Sequence, residues 1–141
     1  MGDWRWACDE GNVTPEALEN ALNRIAGPVI LTLNAADLID RCCDYCRQLV
    51  QGIGNLSGAK IVFSPIMNQG LVRFEKAGAS DGFNDVFTDE IIQKINATGE
   101  AFFSGTTWRG QRAMRISVVN WRTNQQDITR AIAALSSLKI A

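Results

Sequence analysis

The chain has 141 residues, of which 46% are apolar and 21% charged, with 14 Lys and Arg against 15 Asp and Glu and no histidine. This length fits one domain around one core, and a net charge of −1 with scattered basic residues excludes the clustered positive surface that nucleic-acid phosphates require. No apolar run approaches the roughly 20 residues of a bilayer span, and the opening Met1-Gly-Asp-Trp-Arg-Trp6 carries no hydrophobic signal core, so the expectation is a cytoplasmic protein without a membrane partner.

Residues 1–13 show no periodicity, although Trp4 and Trp6 could pack onto the body or a partner. A helix is predicted from Thr14, with Pro15 at its first position, where the missing N–H costs nothing. Gly27-Pro28 ends it, and Val29–Leu33 reads as a short buried strand. A second helix is predicted over Asp37–Ile53, because Leu38, Cys42, Cys46, Leu49, Val50 and Ile53 recur at the spacing of one helical stripe.

Strands are predicted at Lys60–Phe63 and Gly70–Phe74, joined by a turn around Pro65 and Asn68. In the latter, Val72 and Phe74 alternate with Leu71, Arg73 and Glu75, the pattern of a half-buried strand. A loop over Gly78–Gly82 leads to a helix at Asn84–Ala97, stopped by Thr98-Gly99. Ala101–Thr107 and Arg112–Val119 read as an antiparallel pair around Arg109-Gly110. Thr123 with Gln126 forms a capping box for a last helix, whose stripe is Ile128, Ile132, Leu135 and Leu138. From residue 37 the order is helix, strand, strand, helix, strand, strand, helix. It predicts an α+β fold, an antiparallel sheet with helices packed on one face.

Two local motifs invite chemistry. Cys43 and Cys46 form a C-x-x-C, a spacing used by redox and metal pairs, but the chain offers no histidine and no second C-x-x-C to complete four zinc ligands. Soft side chains on the buried face of a helix explain the pair more simply, and three cysteines crowded into one helix suit free thiols in a reducing compartment. Gly105-Thr-Thr-Trp-Arg-Gly110 could be an anion-binding loop, but no helix N-terminus follows it. A hairpin connection anchored by Trp108 accounts for it, with Trp108 and Trp121 covering the sheet or lining a subunit interface.

The segment Thr98-Gly-Glu-Ala-Phe-Phe-Ser-Gly-Thr-Thr-Trp-Arg-Gly-Gln-Arg-Ala-Met-Arg-Ile-Ser-Val-Val-Asn-Trp-Arg-Thr123, followed by Asp127-Ile128, resembles the end of the group II pyridoxal-phosphate-dependent amino-acid decarboxylases, the relatives of the aromatic amino-acid and glutamate decarboxylases. Asp40-Arg-Cys-Cys-Asp44 and Asn68-Gln-Gly-Leu-Val-Arg-Phe74 resemble the C-terminal small domain of that family, in the same order. The resemblance covers about residues 37–141. Residues 1–36, through Asp9-Glu-Gly-Asn-Val-Thr-Pro and Gly27-Pro-Val-Ile-Leu-Thr-Leu-Asn-Ala35, look like a remnant of the large cofactor domain joined to it near Asn34–Asp37.

The resemblance implies a small domain of the fold-type I pyridoxal-phosphate enzymes, a carboxy-lyase of amino-acid metabolism and a homodimer. It also implies an internal deletion. The family's Schiff-base lysine motif, its aspartate for the pyridine nitrogen and its ring-stacking histidine have no counterpart here, so no catalytic or cofactor-binding residue is expected. Pyridoxal phosphate belongs to the intact family and is not expected on this chain alone, and an amino-acid substrate is expected only in an intact enzyme. Lys76 and Lys139 read as solvated charges, Lys60 opens a strand and Lys94 lies on the polar side of a helix, whereas a cofactor lysine needs a desolvated pocket. Arg115 occupies the arginine of the family's Met-Arg-Ile-Ser-Val-like strand, and the resemblance makes it the candidate for holding a substrate carboxylate by a bidentate pair. The competing reading is a strand arginine paired with a structural acid such as Glu75 or Asp127. The alternative for the whole chain is a non-enzymatic α+β module that dimerises or binds a partner through surface once covered by the large domain.

Overall fold

The computed structural model describes residues 35–138. The helix expected from Thr14, the strand at Val29–Leu33, Trp4, Trp6, Cys8 and Lys139 lie outside the described residues. Helix α1 (Ala35–Gly54) forms on the stripe read from the sequence. Cys42 and Leu49 are nearly buried and Cys46, Val50 and Ile53 wholly so, while Leu38 packs at the margin of the core.

Strands β1 (Ala59–Ile66) and β2 (Gln69–Phe74) form a hairpin closed by the Ile66–Gln69 pair. Its tip is Met67-Asn68, with Met67 in the left-handed region at φ 54. Pro65, expected in the turn, lies inside β1, an edge strand, where its missing N–H need not break a ladder. Helix α2 (Asp81–Thr98) begins inside the predicted loop because the Ser80 Oγ accepts the Phe83 amide at 3.3 Å. It ends at Gly99, whose φ of 74 is the left-handed cap that glycine adopts without strain.

Strands β3 (Ser104–Trp108) and β4 (Gln111–Ser117) make the second hairpin. Arg109 at φ 49 and Gly110 at φ 81 form the two-residue turn whose twist matches that of the strands. The hairpin reading of residues 105–110 therefore holds. Helix α3 (Gln125–Ser137) starts one residue later than the sequence pattern suggested. Asn124, not Thr123, is its cap: the Asn124 side chain accepts the amides of Gln126 and Asp127, and Asp127 returns the contact to the Asn124 amide at 3.0 Å. The Thr123 amide is instead spent on the carbonyl of Asn120 in the preceding turn.

The four strands form one antiparallel sheet in the order β1-β2-β4-β3. Val72 and Phe74 of β2 and Met114 and Ile116 of β4 present one face to all three helices, making a single core with Ile91 and Ile95 of α2 and Ile128 and Leu135 of α3. This is the α+β arrangement expected, with every helix on the same face. One expectation for β2 fails. It is not half-buried, because from Gly70 to Phe74 every residue is buried, including Arg73 at 0% exposure. The second face of β2 is closed by Leu71 beneath its β1 partner Phe63 and by an ion-pair network around Arg73.

Candidate functional site

The open face of the sheet carries the side chains that alternate with the core positions. Arg115 sits there, opposite Leu71 on β2 and Ser104 on β3. It is exposed, and its Nε donates to the Ser104 Oγ at 3.2 Å. Among the described residues it makes no ion pair. Glu75 is engaged by Lys60 and Arg73, and Asp127 by Arg130, so neither acid proposed as a structural partner pairs with Arg115. One nitrogen is thus anchored to the neighbouring strand, and the side chain as a whole is open to solvent. Trp108 flanks this face by tilting against Phe63 at 5.3 Å between ring centroids. Trp121 does not cover the sheet as expected, since it lies beyond the end of β4 with 57% of its surface exposed.

The residue missed by sequence reasoning is Arg73. Its Nη1 donates to Asp85 at 2.5 Å and to the Arg112 carbonyl at 3.2 Å, and its Nη2 donates to the Asp81 carbonyl at 3.0 Å and to the Asp81 carboxylate at 3.3 Å. Its Nε lies 3.3 Å from Glu75 but lacks hydrogen-bond geometry. A buried guanidinium holds its charge only in such company. Asp85 is held below the usual carboxylate range, first by the Arg112 amide and then by the Arg73 guanidinium, against an opposing effect of burial. The sequence signal for this site was weak. Asp81, Asp85 and Asp89 recur at a spacing of four along α2, but the basic partners come from β2 and β4.

Cys46 is wholly buried, its thiol 3.9 Å from the Ile116 carbonyl. Burial, with a smaller contribution from Cys43, pushes it up to about 11. A thiol so hard to ionise is a poor nucleophile or metal ligand. Cys42, Cys43 and Cys46 are all free, and among the described residues no group of three or more His, Cys, Asp or Glu is arranged to hold a metal ion.

The described lysines are all exposed. Lys60 pairs with Glu75 at 3.3 Å, Lys94 with Glu90 at 3.9 Å, and the Lys76 ammonium lies 4.7 Å above the Phe87 ring. None sits in the enclosed, desolvated pocket that imine chemistry at a lysine requires. This donor set does not fit a covalently held pyridoxal phosphate. Three surface cavities lie apart from Arg115. One of about 490 Å³ is lined by Lys60, Glu75, Lys76 and Asn84. Another of about 500 Å³ runs between Phe102, Val119 and Ile128, and a third of about 220 Å³ between Ile39, Met67 and Val119.

No family model matches the sequence, and no curated protein matches it. Solved structures do. An Oryza sativa TDC solved with PLP superposes with a TM-score of 0.67 at 15% identity, over 77% of this chain and 24% of that one. The fold is shared with part of that chain. Catharanthus roseus tryptophan decarboxylase in complex with L-tryptophan gives 0.66 at 17% identity, over 74% of this chain and 22% of its own. Mouse CSAD gives 0.62 at 17%, over 72% and 23%. The chain spans about a quarter of the length of each of these proteins. At such identities the likeness concerns the fold, and it agrees with the fold class read from the sequence. No helix among the described residues is long and apolar enough to cross a membrane.

Proposed function

We propose that residues 37–141 are the small domain of a group II pyridoxal-phosphate-dependent amino-acid decarboxylase, and that residues 1–36 are a remnant of its cofactor domain. In this reading the small domain closes one side of an active site whose cofactor chemistry is supplied elsewhere, and Arg115 holds the carboxylate of the amino-acid substrate. The chain alone is catalytically empty. The observation that carries the proposal is Arg115 itself: exposed on the open sheet face, anchored through Nε to Ser104, and free of both acids that would have made it structural. The free thiols of Cys42, Cys43 and Cys46 support a cytoplasmic setting.

Two measurements test this reading. Titration of the purified chain with pyridoxal phosphate, followed by borohydride reduction and peptide mapping, should give no saturable visible band and no stoichiometrically labelled lysine. A single lysine labelled at full occupancy would show that the chain has its own cofactor site. Grafted in place of the matching segment of an active decarboxylase of this fold, the domain should lose substrate affinity on Arg115→Gln, with KM raised about tenfold or more and partial recovery in Arg115→Lys. An unchanged KM would remove Arg115 from the substrate site.

A further inference from the structure

The cavity of about 490 Å³ lies where the start of β1, the residues after β2 and the first turn of α2 come together, and only glycine, alanine and polar residues line it. Its size falls within the roughly 300–1,000 Å³ of small-molecule sites. One wall is the turn from Lys76 to Ala79. The Ala79 amide donates to the Lys76 carbonyl at 3.1 Å, and Gly78 takes φ 77, a position that glycine fills without strain. Among the described residues the amides of Ala77 and Gly78, both on the cavity wall, have no partner. The turn runs straight into the Ser80 cap of α2, which brings the positive end of that helix to the same wall through Asp81.

Asn84 is the residue that points to a ligand. It is 5% exposed and lines the cavity. Its Oδ1 accepts the Lys76 amide at 3.0 Å, which fixes the orientation of the side-chain amide and leaves Nδ2 as the free end. Nδ2 has no partner among the described residues. A donor so enclosed is costly to leave unpaired, and an acceptor held in the cavity would satisfy it.

The neighbouring charges select the sign of that acceptor. Two carboxylates line the cavity, and both are already drawn toward donors. Glu75 Oε1 lies 3.3 Å from both the Lys60 ammonium and Arg73 Nε, and Asp81 Oδ1 accepts Arg73 Nη2 at 3.3 Å and Gln111 Nε2 at 3.2 Å. Lys76 has no carboxylate partner among the described residues, and its ammonium stands 4.7 Å from the Phe87 ring. The groups left to spend are thus the Lys76 ammonium and the N–H groups of Asn84, Ala77 and Gly78, a set that fits an anion with several acceptor oxygens.

We infer that this cavity is a phosphate site, taking the phosphate group of a small molecule whose remaining body fills the volume. Lys76 supplies charge, Asn84 and the Ala77 and Gly78 amides supply hydrogen bonds, and the start of α2 supplies a favourable dipole. The outer oxygens of Glu75 and Asp81 remain open to hydroxyl groups, which makes a hydroxylated phosphate monoester the ligand class. The site lies apart from Arg115 and does not rest on the decarboxylase reading.

Titration of the isotope-labelled full chain with inorganic phosphate at constant ionic strength, followed by amide NMR, tests this. The Ala77 and Gly78 amides and the Asn84 side-chain amide should shift together and saturate at millimolar phosphate. Ribose 5-phosphate should saturate the same signals at a concentration at least tenfold lower. Lys76→Ala changes an exposed position, and Asn84→Asp keeps the oxygen that accepts the Lys76 amide while removing the donor. Each should weaken binding at least tenfold, whereas Lys94→Ala, further along α2, should leave it unchanged. An absence of saturation at tens of millimolar phosphate, or equal binding in Lys76→Ala and the wild type, would overturn the site. Ribose 5-phosphate binding no tighter than phosphate would overturn the ligand class. None of these outcomes bears on Arg115 or on cofactor labelling, so the phosphate site and the decarboxylase reading can fail separately.

Discussion

The Asp85 carboxylate of α2 accepts the backbone amide of Arg112 on β4 at 2.8 Å. The β2–β4 register that pairs Leu71 with Arg115 and Val72 with Met114 would, if continued, pair Phe74 with Arg112. It does not continue, because side chains have taken all four backbone groups of that pair. The Thr88 hydroxyl accepts the Phe74 amide at 3.1 Å and donates to the Phe74 carbonyl at 3.2 Å, while Arg73 donates to the Arg112 carbonyl at 3.2 Å. The first turns of α2 are wedged between two parting strands, and Asn84 extends the wedge by accepting the Lys76 amide at 3.0 Å.

Asp85→Ala should therefore destabilise the domain by about 1–3 kcal/mol, since it orphans the Arg112 amide and strips a carboxylate from Arg73. The carboxyl group is depressed in the folded state, so its contribution is present above the ordinary value near 4 and is lost as pH falls from there through the folded-state value. Urea melts at decreasing pH should show wild-type stability declining below about pH 4. Asp85→Asn, which keeps an acceptor oxygen without the charge, should be weaker at neutral pH and show a flatter acid limb.

Replacing Arg73 by Met should be among the most damaging single changes. It would leave Asp81, Asp85 and Glu75 facing one another without their shared cation, at a cost of about 3–5 kcal/mol. Arg73→Lys should recover only part of this, because an ammonium cannot reach Asp81, Asp85 and the Arg112 carbonyl with one planar fork. Thermal melts of the two variants measure both effects.

Cys46 should resist alkylation in the folded chain while Cys43, partly exposed on the same helix, reacts first. The Cys46 pKa is raised from 9.0 to about 11 by burial, so the protonated thiol favours the fold, and that contribution is lost as pH rises through this interval. Mass spectrometry after iodoacetamide treatment, with and without denaturant, checks the order. Cys46→Ala should reduce the alkaline loss of stability.

Gly70 lies in β2 where α1 crosses the sheet, and a Cβ there would stand 2.7 Å from the Val50 Cγ2. Val50 is itself fully buried and cannot turn away. Gly70→Ala should cost about 1–3 kcal/mol by overpacking. Gly52→Ala, which would meet only the partly exposed Ile132 side chain, should cost less. Chemical denaturation of the pair gives the comparison.

The helical stripe of α1, the alternation of Met114, Ile116 and Val118 and the stop at Gly99 were legible because each depends on neighbours within a turn or two of chain. Arg73 was misread because nothing local distinguishes a strand arginine in water from one enclosed by acids 8 and 12 residues away. The shift from Thr123 to Asn124 arose because both residues can cap and each has a suitable side chain three positions on, so the Asn120 turn made the choice. For Arg115 the strand and its outward direction followed from the pattern, but its freedom from Glu75 and Asp127 depended on where Arg73 and Arg130 send their own charges.

The wedge also bears on how the domain comes apart. A helix lying on a sheet can peel away and leave the strands paired, but α2 holds the amides of Phe74, Lys76 and Arg112 through its own side chains. Loosening its first turns would open two strands at once. In hydrogen exchange those three amides should thus report the local stability of α2 rather than that of the ladder around them, and the helix and the sheet should open as one cooperative unit.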